Sequence, residues 1–483
     1  MGKRTRSMMM VVEEEEDRIS KLPNFVIIHI LSFLPTKDVV RTCLLSKRWK
    51  LMWYFVPKLS FSNTENHFQE EFFHFVDKCL EHRNIVRHFV PESMVTSFEL
   101  KMYFYDRSLV DRLDKWLAFA VDNKLQKINL CLGIESKDNQ FYYYRLPKTL
   151  VLNAKHLTSL ELSYLELDSR YSFSFPSLKS LSLLYVQLAD SDVVEKLLLG
   201  SPSLESLQLC RLRPYPDHLH IHNSSIKFLQ ITLPCDTALQ IEVINLESLE
   251  LYGVPFEKTN FSVCKAIRNL VLFCDFGSEE SPSLEYLISN LHQLENLTLA
   301  SSNVLPLRHL KISNHHLKSL RLRFTSFIKD VRRLRRVIIE APKLASFRYK
   351  GNIYSSISIQ SSNLLDGNFI IVDPFKKYDS DWFIDMMNFL VNLNCSWNML
   401  SMHIDSEKAL IFPEKMKNIC RSPLVNLEHL RVFTNRKLEK KSHLKESMLW
   451  ACPSLMVISI KQGQGPSLRF LPERPSTCCF STL

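Results

Sequence analysis

Three histidines, His218, His220 and His222, alternate in the run HLHIHN. Alternation along a strand puts all three side chains on one side, so adjacent pairs could clasp a metal ion. The outer two would stand ~13 Å apart at strand rise, too far to share an ion. No Cys or acid pattern accompanies them in the sequence, so the run reads as a surface stripe and we expect no metal. Twelve cysteines are scattered through the 483 residues with no C-x-x-C pair, which gives neither a zinc spacing nor a setting for a nucleophile. No G-x-S-x-G, H-E-x-x-H or Walker pattern occurs, and nine glycines are few for phosphate-cradling loops. We therefore expect no catalytic residue and no cofactor.

The remaining candidate chemistry is charge. Residues 305–350 hold thirteen Lys/Arg against two acids, a local net charge of +11 in a chain whose total is +10. The basicity is thus concentrated in one region. Arginine forks suit carboxylate and phosphate, so Arg321, Arg323, Arg348 and Lys350 are candidates for binding an acidic or phosphorylated protein segment. The competing interpretation is a solvated charged face, above all for VRRLRRVIIE, whose pattern predicts an outer helix. Nucleic acid is the weaker partner class, because the patch lacks interleaved aromatics and any known reading motif.

Those residues must be positioned by a repeat. The spacing L-x-x-L-x-L starts at Leu125, Leu157, Leu178, Leu204, Ile226, Leu246, Ile267, Leu294 and Leu317, with looser copies at Leu344, Leu427 and Leu455. From Leu157 to Leu317 the steps are 21, 26, 22, 20, 21, 27 and 23 residues, inside the leucine-rich-repeat range of 20–29. Both residues of L-x-L enter the interior, successive strands stack in parallel, and a helix or turn returns outside. In ADSDVVEKLLLGSPSLESLQL, Asp190 or Ser191 can cap a helix whose inner stripe is Val193, Val194, Leu197 and Leu198, and Gly200 ends it. The usual Asn or Cys of the turn is replaced by Leu165, Val186, Leu212 and Val254, so apolar packing must hold it. The residues flanking each inward pair line the concave face: small or polar early (Ser159, Glu161, Ser163, Ser180, Ser182, Ser206, Gln208), then Glu250, Tyr252 and Phe273, then His309, Lys311 and the basic set above. The fold class is α/β, an irregular leucine-rich-repeat solenoid with parallel strands on the concave face and helices or turns outside.

Ahead of the repeats, LPTKDVVRTCLLSKRWKLMW crowds Val39, Val40, Leu44, Leu45, Trp49, Met52 and Trp53 into twenty residues. The pattern predicts three short helices. The first follows Leu22-Pro23, carries Ile27, Ile30, Leu31 and Leu34, and is stopped by Pro35. The second is capped by Thr36 with Asp38 in its first turn, and the third is capped by Ser46. Three helices in ~35 residues cannot bury this much apolar surface alone. Either the segment docks on the repeats or it offers an apolar patch to a partner.

The stretch LPNFVIIHILSFLPTKDVVRTCLLSKRWKLMW closely resembles an F-box of the plant type, and LDKWLAFAVDNKLQKINLCL resembles the first repeat block of plant F-box/leucine-rich-repeat proteins, with Trp116, Ala120 and Val121 in place. HLKESMLWACPSLMVISI is faintly similar to the FBD region in which many of them end. The resemblance implies that the head binds a Skp-type adaptor and through it a cullin–RING (SCF-type) ubiquitin ligase, while the repeats select a protein substrate. The chain itself would not be an enzyme. Carried over, the adaptor-facing residues are Leu22, Pro23, Ile27, Ile30, Leu31, Leu34, Pro35, Val39, Leu44, Leu45 and Trp49, with Lys37 and Arg48 at the rim. The family usually has an acid after Leu-Pro; this chain has Asn24, which is expected to alter affinity. The alternative is a non-ligase scaffold, or a repeat protein binding acidic ligands or nucleic acid through residues 305–350.

The expected organisation is a disordered leader (1–17), the F-box (18–55), a helical linker (56–94), leucine-rich repeats (95–350), further repeats or an FBD-like region (351–460) and a flexible tail (461–483). The longest early apolar run, FVIIHILSFL, is half a membrane span, Met8–Val12 is too short for a signal-peptide core, and KRTR at 3–6 is a feeble nuclear signal. The expected location is nucleus or cytoplasm.

Overall fold

A computed structural model describes residues 21–63, 70–87, 89, 95–104, 106–135, 143–233, 237–273, 282–301, 309–324, 336–363, 365–372, 378–393, 396–436, 438–462 and 467–470. The expected leader, most of the tail, and Arg308, Lys329, Arg332, Arg333 and Arg335 lie outside them. The chain divides into two compact units, Met1–Glu166 and Leu167–Leu483.

The first unit begins with the head. Helices α1 (Asn24–Leu31), α2 (Thr36–Arg41) and α3 (Trp49–Met52) follow Pro23, Pro35 and Arg48, with a 3₁₀ turn at Thr42–Leu44. α1 stops at Leu31, well short of Pro35, and leaves Leu34 in the connecting turn. Thr36 does not cap α2: its hydroxyl accepts a hydrogen bond from the Ser60 N–H at 2.7 Å, tying α2 to the first strand. Ser46 does accept from the Trp49 N–H, at 3.3 Å. Ile27, Leu31, Val39, Trp49, Met52, Trp53 and Val56 make one buried cluster.

The segment expected as a helical linker opens the sheet. Lys58–Asn63 pairs in parallel with Ser97–Phe104, which pairs with Lys127–Glu135, and that with Ser159–Ser163. The strand went unread because KLSFSN has an apolar alternation too short to stand out, with Leu59 and Phe61 turned inward. Helix α4 (Glu70–Arg87) connects the first two strands and α5 (Val110–Asp122) the next two. They are joined by the Trp116 indole N–H donating to Asp77 at 2.7 Å and by an Arg112–Glu70 ion pair. Arg83 of α4, 2% exposed, reaches back to the head. Its two terminal nitrogens donate to the Trp53 and Val56 carbonyls, each at 2.8 Å, while the guanidinium lies over the Trp53 ring at 5.7 Å. The Trp53 carbonyl also accepts from the Val56 N–H at 3.3 Å, so Arg83 adds a second donor there and supplies one to the Val56 carbonyl just past the last helical turn of the head.

In the second unit twelve strands run parallel from Ser180–Leu184 to Val457–Gln462, with one register shift at Leu365/Asp366, and Ser467–Phe470 adds one antiparallel strand. Residues 365–462 thus extend the same ladder. All three apolar positions of every L-x-x-L-x-L copy from Leu157 to Leu455 are at most 4% exposed. Each such side chain contributes roughly 1.5–3 kcal/mol of transfer free energy.

The step length sorts the returning element. The 26- and 27-residue steps after Leu178 and Ile267 contain helices Val193–Leu199 and Pro282–Asn290. Steps of 20–23 residues have no room for a helix and return as short strands. His218–His222, Ala238–Glu242 and Thr259–Asn260 form one outer sheet; His309–Ser313, Arg336–Glu340 and Ser356–Gln360 form another. Two expectations fall here. Arg336–Glu340, the second half of VRRLRRVIIE, is a strand, because Val337 and Ile339 alternate inward. His309 and Lys311 sit on this outer sheet and not beside Arg321, with Lys311 paired to Glu340 at 2.8 Å.

The substituted turns pack as the sequence requires. Leu165, Val186, Leu212 and Val254 are at most 1% exposed. Each follows a residue of positive φ: Tyr164 (57°), Tyr185 (53°), Arg211 (55°) and Gly253 (78°). Positive φ is uncommon outside glycine. At Gly253 a Cβ would meet the Leu233 carbonyl oxygen at 2.4 Å. Gly200, after its helix, is needed for approach: a Cβ there would lie 2.2 Å from the Phe173 carbonyl oxygen.

One pattern escaped the sequence reading. The residue entering successive strands alternates in charge: Lys179, Glu205, Lys227, Glu247, Arg268, Glu295, Lys318. The backbone stacks them rung on rung, each N–H donating to the preceding carbonyl at 2.8–2.9 Å. Glu205 pairs with Lys179 (3.4 Å) and Lys227 (3.3 Å), and Glu295 with Lys318 (3.0 Å). A one-strand misalignment would oppose like charges, so the ladder protects register more than it adds stability.

Candidate functional site

Two surfaces stand out, one in each unit. The first is the outer side of the head. Its sequence contains more apolar side chains than a three-helix core can enclose, and the structure divides them. Among the expected adaptor residues, Ile27 (0% exposed), Leu31, Val39 and Trp49 belong to the head's own core. Leu22 is half-buried. Pro23, Ile30 (42%), Leu34 (38%), Pro35, Leu44 (90%) and Leu45 (67%) face outward. Phe25 (73%), Phe33 (75%) and Leu51 (57%) are exposed too. Sequence reasoning missed these three, although Phe25 and Phe33 lie off the Ile27–Leu31 stripe of α1 and that offset was the available signal. Phe33 packs edge-on against His29, with ring centroids 4.9 Å apart. Apolar side chains exposed in this number within one short segment carry a solvation penalty in water and point to an interaction site.

Lys37 is exposed at the start of α2. Arg48, expected at the rim, is a strut: its Nε and Nη2 donate to Asn24 Oδ1 at 3.1 and 2.6 Å, and Nη2 also to the Leu22 carbonyl at 2.5 Å. Asn24, where the family usually has an acid, supplies the acceptor atom without the charge. Near the head, Glu99 accepts from Lys58 and Lys101, each at 2.7 Å, and from the Ser60 hydroxyl at 3.0 Å. Burial alone would raise this carboxyl; the donors from Lys101, Lys58 and Ser60 outweigh burial and hold it at about 2.

The second surface is the solvent side of the parallel sheet in the second unit. Arg321 is the register partner of Arg348, and Arg323 of Lys350. Thr298 and Asn368 flank the first pair, Ala300 and Ile370 the second. The four cations expected to act together therefore sit two by two on adjacent strands. Arg321, Arg323 and Arg348 are exposed and Lys350 is half-buried. None of the four forms a hydrogen bond or ion pair among the described residues. Further along the same side, His403 stacks on Phe433 with centroids 4.2 Å apart and planes 5° from parallel. Burial lowers the His403 pKa, favouring the neutral ring. Beside this stack a cavity of about 310 Å³ is lined by Met399, His429, Arg431, Phe433, Val457 and Lys461.

The histidine stripe lies on an outer strand with His218, His220 and His222 exposed. Glu242, from the neighbouring strand, approaches His220 Nε2 at 3.4 Å and His222 Nδ1 at 3.6 Å. Sequence reading could not foresee that acid twenty residues away. Among the described residues no group of three His, Cys, Asp or Glu is arranged to hold a metal ion. Among them also no helix is long and apolar enough to cross a membrane.

With this geometry in place, the chain can be compared with known proteins. Residues 19–59 match the F-box domain family, and residues 113–266 match the leucine-rich repeats of FBD-associated F-box protein At5g56370. Similar proteins from Arabidopsis thaliana include the putative FBD-associated F-box protein At5g56440, 32% identical over 274 residues, 54% of this chain and 58% of that protein. F-box/LRR-repeat protein 13 is 32% identical over 292 residues, 59% of this chain and 54% of that protein. FBD-associated F-box protein At5g56370 is 29% identical over 297 residues, 59% of this chain and 63% of that protein. The alignments thus span between about half and three fifths of these relatives. With an F-box match and a leucine-rich-repeat match of this type on one polypeptide, the chain is similar in its head and early repeats to the plant F-box/leucine-rich-repeat proteins.

Proposed function

We propose that this protein is the substrate-selecting subunit of an SCF-type cullin–RING ubiquitin ligase, with the head docked on a Skp-type adaptor and the repeats holding the protein to be modified. The observation that carries this reading is the exposed apolar face of the head, with Leu44 90%, Phe33 75% and Leu45 67% exposed over a complete buried core. Apolar anchors that become dry on binding are how interface hot spots work. The chain itself needs no catalytic group. It acts by proximity, raising the effective concentration of the target beside a ubiquitin-conjugating enzyme. Cytosol and nucleus are the compartments where this work is done.

The test is affinity capture with the full-length chain. Wild type should retain a Skp-type adaptor and the cullin–RING subunits behind it. Phe33→Glu combined with Leu45→Glu should lose all of them while the thermal melt is unchanged. Capture of the adaptor by the doubly charged variant would sink the proposal.

A further inference from the structure

Several cations elsewhere in the second unit have partners: Lys179 and Lys227 share Glu205, Lys318 meets Glu295, and Lys311 meets Glu340. Arg321, Arg323, Arg348 and Lys350 have none among the described residues. Their repulsion is a standing cost that a bound polyanion would relieve. The same side of the sheet continues through Ile370, His403, Phe433 and Lys461, which are register partners from strand to strand after Lys350. Read across the strands, this row runs cation, cation, aliphatic, aromatic stack, cation. The parallel row runs Arg321, Arg348, Asn368, Ser401, Arg431.

The geometry points to a two-part recognition face for an acidic protein segment that carries an aromatic side chain: carboxylates on Arg321, Arg323, Arg348 and Lys350, the ring in the cavity between Phe433, Arg431 and Lys461. Strand spacing of ~4.8 Å puts the Phe433 strand about 14 Å from the Lys350 strand, three steps on. An extended peptide lying across the strands covers that in about four residues at ~3.3 Å each. The four cations are spread along and across two strands, which suits several single charges better than one dianion. The cavity offers an apolar floor, the Phe433 ring and two cations, a setting for a planar ring with polar edges. This inference rests on the receptor reading and specifies what that receptor would take.

The test uses the full-length chain and fluorescein-labelled twelve-residue peptides with a Glu-Glu pair and a Trp two to eight residues downstream. Polarisation should show binding that is best near a spacing of four and weakens at least tenfold between 50 and 500 mM salt. Arg321→Glu with Arg348→Glu should weaken every Glu peptide at least tenfold. Phe433→Ala should cost the Trp peptides at least fivefold and their Trp→Ala counterparts less than twofold. If the charge reversal unfolds the chain, Lys350→Gln with Arg323→Gln should give the same loss at smaller size. Unchanged affinity in the charge variants, no binding of any Glu peptide, binding only after phosphoserine replaces Glu, or a single-stranded oligonucleotide that binds more tightly and ignores Phe433→Ala would each overturn the inference. Adaptor capture on the same preparations separates the two readings. Peptide binding without adaptor capture sinks the receptor alone, and adaptor capture without peptide binding sinks this inference alone.

Discussion

Leucine meets opposite fates in two regions of this molecule. In the repeats the inward positions are at most 4% exposed. In the head Leu44, Leu45 and Leu51 are 90%, 67% and 57% exposed, although the core beneath them is closed. The head encloses seven apolar residues, with Arg83 sealing its end, and has more apolar side chains than that core takes in. A repeat completes its core with the next repeat. On the function proposed above, the exposed apolar side chains of the head are completed instead by a partner. The charged side chains sort in the same way. Glu205 and Glu295 of the strand-entry ladder are paired within it, and the Arg321–Lys350 block has no partner among the described residues.

The comparison can be broken most sharply by placing charge where leucine is exposed. Leu44→Asp with Leu45→Asp should weaken adaptor binding at least a hundredfold, ~3 kcal/mol or more, with the melting temperature unmoved; a large drop in melting temperature would show that these leucines belong to the fold. Second, Leu249→Ala in the repeats should reverse that profile. It should cost about 2–5 kcal/mol of stability by leaving a cavity, measured by denaturant titration, and leave adaptor affinity within twofold.

A third contrast is electrostatic. Glu99 is held at about 2 by its three donors, below an unfolded value near 4.5. The folded state therefore binds its proton less tightly than the unfolded state. Its stabilisation is complete above about pH 4.5 and is lost as pH falls towards 2. Wild type should lose on the order of 2 kcal/mol across that window through this residue, after allowance for solvent screening. Glu99→Gln should flatten that part of the stability–pH curve; an unchanged slope would remove Glu99 from the account. The smallest effect is expected at Asn24. Asn24→Asp should add a charged acceptor for Arg48 and stabilise the head by about 0.5–1 kcal/mol at low salt, fading at high salt, as read by hydrogen exchange in α1.

Much of this was legible in the sequence, for identifiable reasons. Period-two burial in L-x-L and steps of 20–27 residues dictate parallel stacking, and the same steps sort helix-bearing from strand-bearing returns. Helices α1 to α3 were visible, but which apolar residues face outward was not. That depends on how Ile27, Leu31, Val39 and Trp49 close on one another across three elements. His309 and Lys311 went astray because Leu310 and Ile312 satisfy the repeat's alternation while serving an outer sheet. Glu242 beside His220 and Phe433 beside His403 are brought together by register, which no local pattern encodes. Arg48 looked like a surface charge because its acceptor, Asn24, lies 24 positions away.

The most direct measurement is isothermal titration of a purified Skp-type adaptor into the full-length protein at several temperatures. Saturable one-to-one binding with a clearly negative heat-capacity change, the mark of buried apolar surface, and its loss in Leu44→Asp with Leu45→Asp, is the expected result. No binding by the folded wild type, or equal binding by that variant, would contradict the claim that the head's exposed leucines exist to be covered by a partner.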